Sequence, residues 1–144
     1  GGKRVLTAAA QQADIVGLNA SLHAGSVGPE TALSALGERF LERRNWVEEA
    51  AGDRFAQIEL QMNTFMTAVT SSTSEAEEMF NGMAPMFGLT AEQAKTIPMV
   101  LAGTVNDVCE QLERYRDQYG TSYWVIHDGE IETMAPVVAK LAGS

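Results

Sequence analysis

The fold of this chain is decided by residues 58–69, which read IELQMNTFMTAV. Apolar side chains occupy every second position except Thr64, and toward Val69 the intervening positions become apolar as well. Alternation with a period of two is typical of a strand, and a strand that is apolar on both sides is typical of one covered on both faces. We therefore predict one continuous strand over residues 58–69.

Helical and extended segments alternate on both sides of this strand. That order favours an α/β fold with a parallel sheet, because long crossovers join parallel strands. Three strands, together with one that ends at Gly1, give about four βα units, which is half of a (β/α)8 barrel of about 250 residues. We expect a single domain, residues 1–144, that is a piece of a larger protein. Helices are predicted at residues 4–12, 29–51, 74–87, 90–97, 105–119 and 131–141, and further strands at 15–18 and 121–128. Residues 99–102 are predicted to be extended.

Several local signals fix the predicted helix ends. Ser74 to Glu77 reads as a capping box, and Thr90 with Gln93 reads as a second one. Thr104 is the predicted N-cap of the helix that ends at Gly120.

Composition narrows the function classes. The formal charge is −9 over 144 residues, without a basic stripe, which argues against nucleic acid and anionic membranes as partners. The chain has no apolar run of about 18 residues, the length needed to span a bilayer. The single cysteine, Cys109, falls on the inner face of a predicted helix, so we expect a core thiol. One cysteine cannot form an internal disulfide, which is compatible with the cytoplasmic location we expect.

The first four residues, Gly1-Gly2-Lys3-Arg4, run straight into a helix. Free backbone N–H groups at a helix N-terminus suit an anion, most often a phosphate. The glycines permit close approach, and Lys3 and Arg4 add positive charge. A terminal glycine pair is equally typical of a cloning remnant, so the tetrapeptide alone does not decide between the two.

The helix after residue 74 is rich in methionine and phenylalanine. Two interpretations stay open for it, a flexible hydrophobic binding face or packing in the core or a subunit interface. The residues concerned are Met79, Phe80, Met83, Met86 and Phe87.

An ordered set of segments resembles the luciferase-like oxidoreductases. It comprises residues 1–6 (GGKRVL), 13–18 (ADIVGL), 51–60 (AGDRFAQIEL), 100–105 (VLAGTV) and 120–123 (GTSY). The set spans the whole chain and is most similar to the branch that uses coenzyme F420, a deazaflavin. No single segment is specific; their order carries the resemblance.

The resemblance implies the C-terminal half of a (β/α)8 barrel that binds F420, or alternatively FMN, at the carboxyl ends of its strands. Its glycine loop, here Gly1 and Gly2 with Lys3 and Arg4 beside them, would hold the cofactor phosphate. The implied activity is hydride transfer by an F420-dependent oxidoreductase, with an FMN-dependent monooxygenase as the alternative. The pocket for this chemistry belongs largely to the first four strands, so no catalytic residue carries over to this chain.

Strand polarity places further residues at the mouth of such a barrel, namely Asn19, Thr70, His127 and Asp128. We predict that Asn19 and His127 contact the cofactor. His127 is either an acid/base group or ring contact, or a solvated histidine at a strand end. His23, in the long loop before Pro29, is predicted to be exposed.

Carboxylates follow His127 closely, at Asp128, Glu130 and Glu132. They read either as paired catalytic acids or as acids that stabilise a helix N-terminus. Histidines and carboxylates do not occur at metal-ligand spacing, so no metal is predicted. The expected partners are a small-molecule substrate, the N-terminal half of the same barrel and a second copy in a homo-oligomer. A self-associating half-barrel without catalysis is the alternative from another class, since open sheet edges invite pairing.

Overall fold

The structure, a computed structural model, describes residues 2–22, 25 and 28–142. The predictions made for Gly1 and His23 therefore lie outside the described residues. The helices are α1 (Lys3–Gln12), α2 (Pro29–Ser34), α3 (Gly37–Ala51), α4 (Thr73–Met83), α5 (Ala91–Lys95), α6 (Val105–Tyr119) and α7 (Ile131–Leu141). The strands are β1 (Ile15–Leu18), β2 (Glu59–Asn63), β3 (Met66–Val69), β4 (Val100–Gly103) and β5 (Thr121–Val125), and short 3-10 turns cover Gly52–Gln57, Ala84–Phe87 and Asp128–Glu130.

The strands form two small sheets, and every strand pair in them is parallel. One sheet has the order β1-β2-β5, and the other contains β3 and β4. In the first sheet Val16 lies opposite Leu60, and Met62 lies opposite Trp124. The predicted α/β class with parallel strands is confirmed at this level.

The strand predicted over residues 58–69 is divided at Thr64, so the prediction of one continuous strand is wrong. The backbone N–H of Thr64 donates to the carbonyl of Val125, 2.9 Å away, which continues the pairing of β2 with β5. One residue later, the N–H of Phe65 donates to the carbonyl of Met99 at 2.6 Å. The chain thus changes neighbours within two residues, and the second half pairs with β4.

Helices cover one face of the first sheet. Successive crossover helices are neighbours, because α1 packs on α3, α3 on α6 and α6 on α7. The sheet residues that form the core beneath them are Val16, Leu18, Leu60 and Met62, each at most 2 % exposed. Cys109 of α6 is also buried, as predicted.

The opposite face of the first sheet is open within the described part of the chain. Ile15 is 49 % exposed, Tyr123 42 % and Val125 39 %. Gln61 lies between Gly17 and Tyr123 in the register and belongs to the same face. The expectation that residues 58–69 are covered on both faces therefore fails for β2. We call this surface the open sheet face.

The single helix predicted from Pro29 to Ala51 is also wrong, because Leu36 interrupts it with extended backbone at ψ 146°. Gly37 then begins α3, where a side chain would meet the Tyr119 hydroxyl and the Thr96 carbonyl. The restart changes the helical phase. Leu33 and Leu41, which lie on either side of the break, are 49 % and 40 % exposed.

The helix caps follow the sequence at two of the three predicted helix N-termini. Those at Thr90 and Thr104 form as predicted, and Gly120 ends α6 in the left-handed conformation. At α4 the N-cap is Ser72 instead of Ser74, with its hydroxyl accepting from the Glu75 N–H at 3.2 Å. Both serines precede a glutamate by three residues. The N–H and hydroxyl of Ser71 both bind the Glu75 carboxylate, which favours Ser72 as the N-cap.

The cap of α6 makes stability pH-dependent. The Thr104 N–H, and then the hydroxyls of Thr104 and Thr73, hold the pKa of Asp107 below its usual range by hydrogen bonding. This stabilisation is present above the pKa of an unfolded aspartate and is lost as the pH falls through the lower folded-state pKa. We expect Asp107→Asn to reduce the loss of unfolding free energy at acid pH, by less than about 1 kcal/mol because the carboxylate is partly exposed. Urea unfolding between pH 2 and 5 measures the effect, and an unchanged pH dependence in this range would contradict it.

Candidate functional site

A cavity of about 450 Å³ lies at the carboxyl ends of β1, β2 and β5. We call it the mouth cavity. It contains two of the predicted cofactor-binding residues, Asn19 and His127. The remaining lining residues are Ala20, Leu22, Asn63, Thr64, Phe65, Met99, Val125 and Ile126.

Strand direction explains why these side chains meet. The three strands are parallel, so their carboxyl ends lie at one edge of the sheet, and the residues that follow them converge there. Asn19 directly follows β1, and His127 follows β5 by two residues. The topology thus brings these two predicted residues together.

Thr70 does not line the mouth cavity, although strand polarity predicted it there. The division of the long strand sends Thr70 to the end of β3, where its hydroxyl donates to the carbonyl of Ser72 at 2.8 Å. Asn63 and Thr64 occupy the expected place instead. The signal for this was present in the sequence, since two adjacent polar residues interrupt the apolar run at that point.

His127 is held by one contact from a distant part of the chain and one from its own segment. Its Nε2 lies 3.1 Å from the carbonyl oxygen of Thr64, and its backbone N–H donates to the carboxylate of Glu130 at 3.2 Å. A carbonyl oxygen only accepts, so Nε2 carries the hydrogen in this contact. In the neutral ring Nδ1 is then the acceptor.

Glu130 ties the His127 segment to the second sheet. Its other carboxylate oxygen accepts the backbone N–H of Thr67 in β3 at 2.8 Å. Glu132 lies in the first turn of α7, and Asp128 begins the preceding 3-10 turn. The three carboxylates therefore occupy helix starts, which is the structural one of the two interpretations drawn from the sequence.

We expect Glu130→Gln to destabilise the chain by about 1–2 kcal/mol. In Glu130 each charged carboxylate oxygen accepts one backbone N–H. Glutamine keeps one neutral oxygen acceptor, and its NH2 group would face the other backbone N–H. Chemical denaturation with urea measures the change, and the ring signals of His127 should shift with it in NMR spectra. Glu132→Gln is the matched control, because Glu132 is exposed and should change stability by less than about 0.5 kcal/mol. Equal effects of the two substitutions would contradict the role of Glu130.

The N-terminus of α1 lies toward the same edge of the sheet as Asn19. Only Ala13 and Asp14 separate α1 from β1, so the helix runs back along the strand. Gly2 is the N-cap, and its carbonyl accepts the amides of Val5 and Leu6 at 3.0 and 3.2 Å. The amides of Lys3 and Arg4 precede these first intrahelical bonds and are therefore the donors that a helix start offers to an anion.

The Lys3 side chain turns toward α3. Its Nζ lies 3.7 Å from the Glu49 carboxylate and 5.9 Å from the centre of the Trp46 ring. Arg4 is exposed, and the first turn of α1 contains no acidic residue. The assignment of Gly2, Lys3 and Arg4 to a phosphate therefore stays a prediction, with the Lys3 ammonium held away from that position by an exposed and hence weak ion pair.

Comparison with known proteins leaves the family open. No protein-family model matches the chain, and no curated protein matches it significantly. Among the described residues, no three histidine, cysteine or acidic side chains come together in a way that could hold a metal ion. None of the described helices is long and apolar enough to cross a membrane.

Proposed function

We propose that this chain is the C-terminal half of a luciferase-like (β/α)8 oxidoreductase domain that binds coenzyme F420. In this proposal β1, β2 and β5 are consecutive strands of the barrel wall, and the open sheet face lines the barrel interior. When bound, the deazaflavin supplies the hydride chemistry, and the protein positions it.

The observation that carries the proposal is the mouth cavity, at the carboxyl ends of parallel strands with a bare sheet face below it. Ligands of parallel α/β proteins bind at this end of the strands. The volume of about 450 Å³ lies within the range of small-molecule and cofactor sites, about 300–1,000 Å³. Its walls combine apolar surface with the amide groups of Asn19 and Asn63 and the imidazole of His127, which fits a flat ring with polar edges.

The residues have separate roles in this proposal. Asn19 and His127 orient the ring through hydrogen bonds. The amides at the start of α1 receive the phosphate of the cofactor tail, together with Arg4. The N-terminal half of the barrel contributes the remaining pocket and covers the open sheet face, and the substrate is a small molecule.

A binding titration tests the proposal. The chain, together with the half that precedes it in the full protein, is titrated with F420 and separately with FMN, and the absorbance and fluorescence of each cofactor are followed. We expect F420 to bind, and Asn19→Ala or His127→Ala to weaken binding about tenfold, the equivalent of one hydrogen bond. Ser122→Ala, outside the mouth cavity, is the control. If neither cofactor binds, the enzymatic proposal is wrong, and binding of FMN alone would favour the monooxygenase alternative.

A second candidate is a half-barrel that self-associates and has no catalytic activity. It is favoured by the open sheet face and by the outer edges of β1 and β5, which have no strand neighbour among residues 2–22, 25 and 28–142. Parallel sheets are normally covered on both faces, so a second copy could bury this surface. Light scattering on the chain alone measures its oligomeric state and tests this candidate, because a stable folded monomer would contradict it.

A further inference from the structure

A second cavity, of about 240 Å³, lies between the β3–β4 sheet and the segment from α4 to α5. We call it the Met–Phe cavity. It is lined by Met66, Met83, Phe87, Leu89 and Ile97, among others. Three of these residues come from the Met- and Phe-rich region or its immediate surroundings, for which the sequence left binding and packing open.

The chemistry of the lining restricts what can enter. Every side chain that lines the cavity is apolar. Met83 and Phe87 are partly exposed, whereas Ala84 and Ala94 are 1 % exposed and form the inner wall. A peptide segment would leave backbone N–H and C=O groups without partners there, and a charged ligand would lose its hydration. An uncharged hydrophobic molecule carries neither cost.

The volume of the cavity limits the size of the ligand. An apolar cavity of about 150 Å³ in another protein stays dry and binds benzene. By the same proportion, 240 Å³ accommodates a molecule of about ten carbon atoms. Methionine side chains adapt to irregular shapes and make favourable contacts with aromatic rings, so Met66 and Met83 suit a ligand of this kind.

We propose that the Met–Phe cavity is a binding site for a small uncharged aromatic or alicyclic molecule of about ten carbons. Phe65 lines both this cavity and the mouth cavity. A ligand in the Met–Phe cavity therefore lies one side chain away from the candidate functional site. The proposal stands on the cavity alone and does not require that the chain binds F420 or FMN.

The test uses naphthalene as the probe and methionine methyl groups as reporters. The 144-residue chain, labelled with ¹³C at its methionine methyl groups, is titrated with naphthalene and followed by NMR. We expect the signals of Met66 and Met83 to shift with saturation, while Met62, fully buried in the first sheet, stays unchanged. Met86 is 76 % exposed beside the cavity and reports adhesion to the surface. Shifts at Met86 alone, or at none of these residues, would overturn the proposal.

Substitutions that fill the Met–Phe cavity provide a second test, with the same substitution at an exposed position as the control. Ala94→Leu places three further carbons in the inner wall and should weaken naphthalene binding at least tenfold. Ala8→Leu makes the same change on the exposed side of α1 and should leave binding as it is. Ala84→Val adds less volume and serves if Ala94→Leu does not fold. Unchanged binding by a folded cavity-filling variant would show that naphthalene binds elsewhere and would also overturn the proposal.

Discussion

Replacing Gly37 by alanine is expected to lower the free energy of unfolding by about 2 kcal/mol. A Cβ at this position would lie 2.7 Å from the hydroxyl oxygen of Tyr119 and 2.8 Å from the carbonyl oxygen of Thr96. The carbonyl belongs to the backbone, and Tyr119 is only 1 % exposed, so neither group can move at little cost. Burial, with a smaller contribution from Tyr115, raises the pKa of Tyr119 to about 12, so its hydroxyl stays neutral over the accessible pH range.

The matched control is Gly82→Ala in α4. A Cβ there meets nothing within 4 Å, and alanine is the better helix former by about 1 kcal/mol. The same substitution should therefore stabilise the chain at Gly82 and destabilise it at Gly37. Urea unfolding of both variants measures the two signs. A stabilised Gly37→Ala variant would mean that α3 can move away from α6 without loss.

Replacing Arg54 by lysine is expected to cost about 2 kcal/mol, although the charge is kept. The Arg54 guanidinium donates to the carbonyls of Ala10 and Ala13 and to the carboxylate of Asp14, each at 2.9 Å. It thereby binds the end of α1 and the turn into β1 from a segment some 40 residues later. The ammonium of lysine cannot make three bonds in this planar arrangement.

Arg39→Lys is the control for this change. Arg39 makes an exposed contact with Glu42 at 3.5 Å, and such pairs contribute little, so stability should stay within about 0.5 kcal/mol. Thermal or urea unfolding distinguishes the two lysine variants. If Arg54→Lys is as stable as Arg39→Lys, the three hydrogen bonds do not hold α1 in place, and the position of its N-terminus near Asn19 would need another cause.

Local signals explain the elements that the sequence predicted well. β1 is a short apolar run between polar residues, and α6 begins at the Thr104 capping box and ends at Gly120. In each case the information lies within four residues of the boundary. The same holds for Asn19 and His127, whose place follows from the direction of the strands that precede them.

The elements that were missed depend on partners far along the chain. Within residues 58–69 the sequence marks the division only by two adjacent polar residues, Asn63 and Thr64. The bonds to Val125 and Met99 are what divide the segment between two sheets. Directly after the break, Gly37 lies close to Thr96 and Tyr119, which are also distant in sequence. Glu130 was predicted as a helix-start acid, but its bond to the Thr67 N–H joins residues 63 positions apart. No local pattern encodes such contacts.

The open sheet face has a thermodynamic consequence. Ile15, Tyr123 and Val125 leave about two fifths to half of their surface exposed, and this part contributes to stability only when another surface covers it. By mass action, a surface that binds this face would raise the free energy of unfolding by RT ln(1 + L/Kd), where L is its free concentration, and the midpoint of thermal unfolding would then depend on that concentration. If a second copy or the remainder of a barrel covers this face, a melting temperature has a meaning only when the concentrations of the chain and of the covering surface are stated with it.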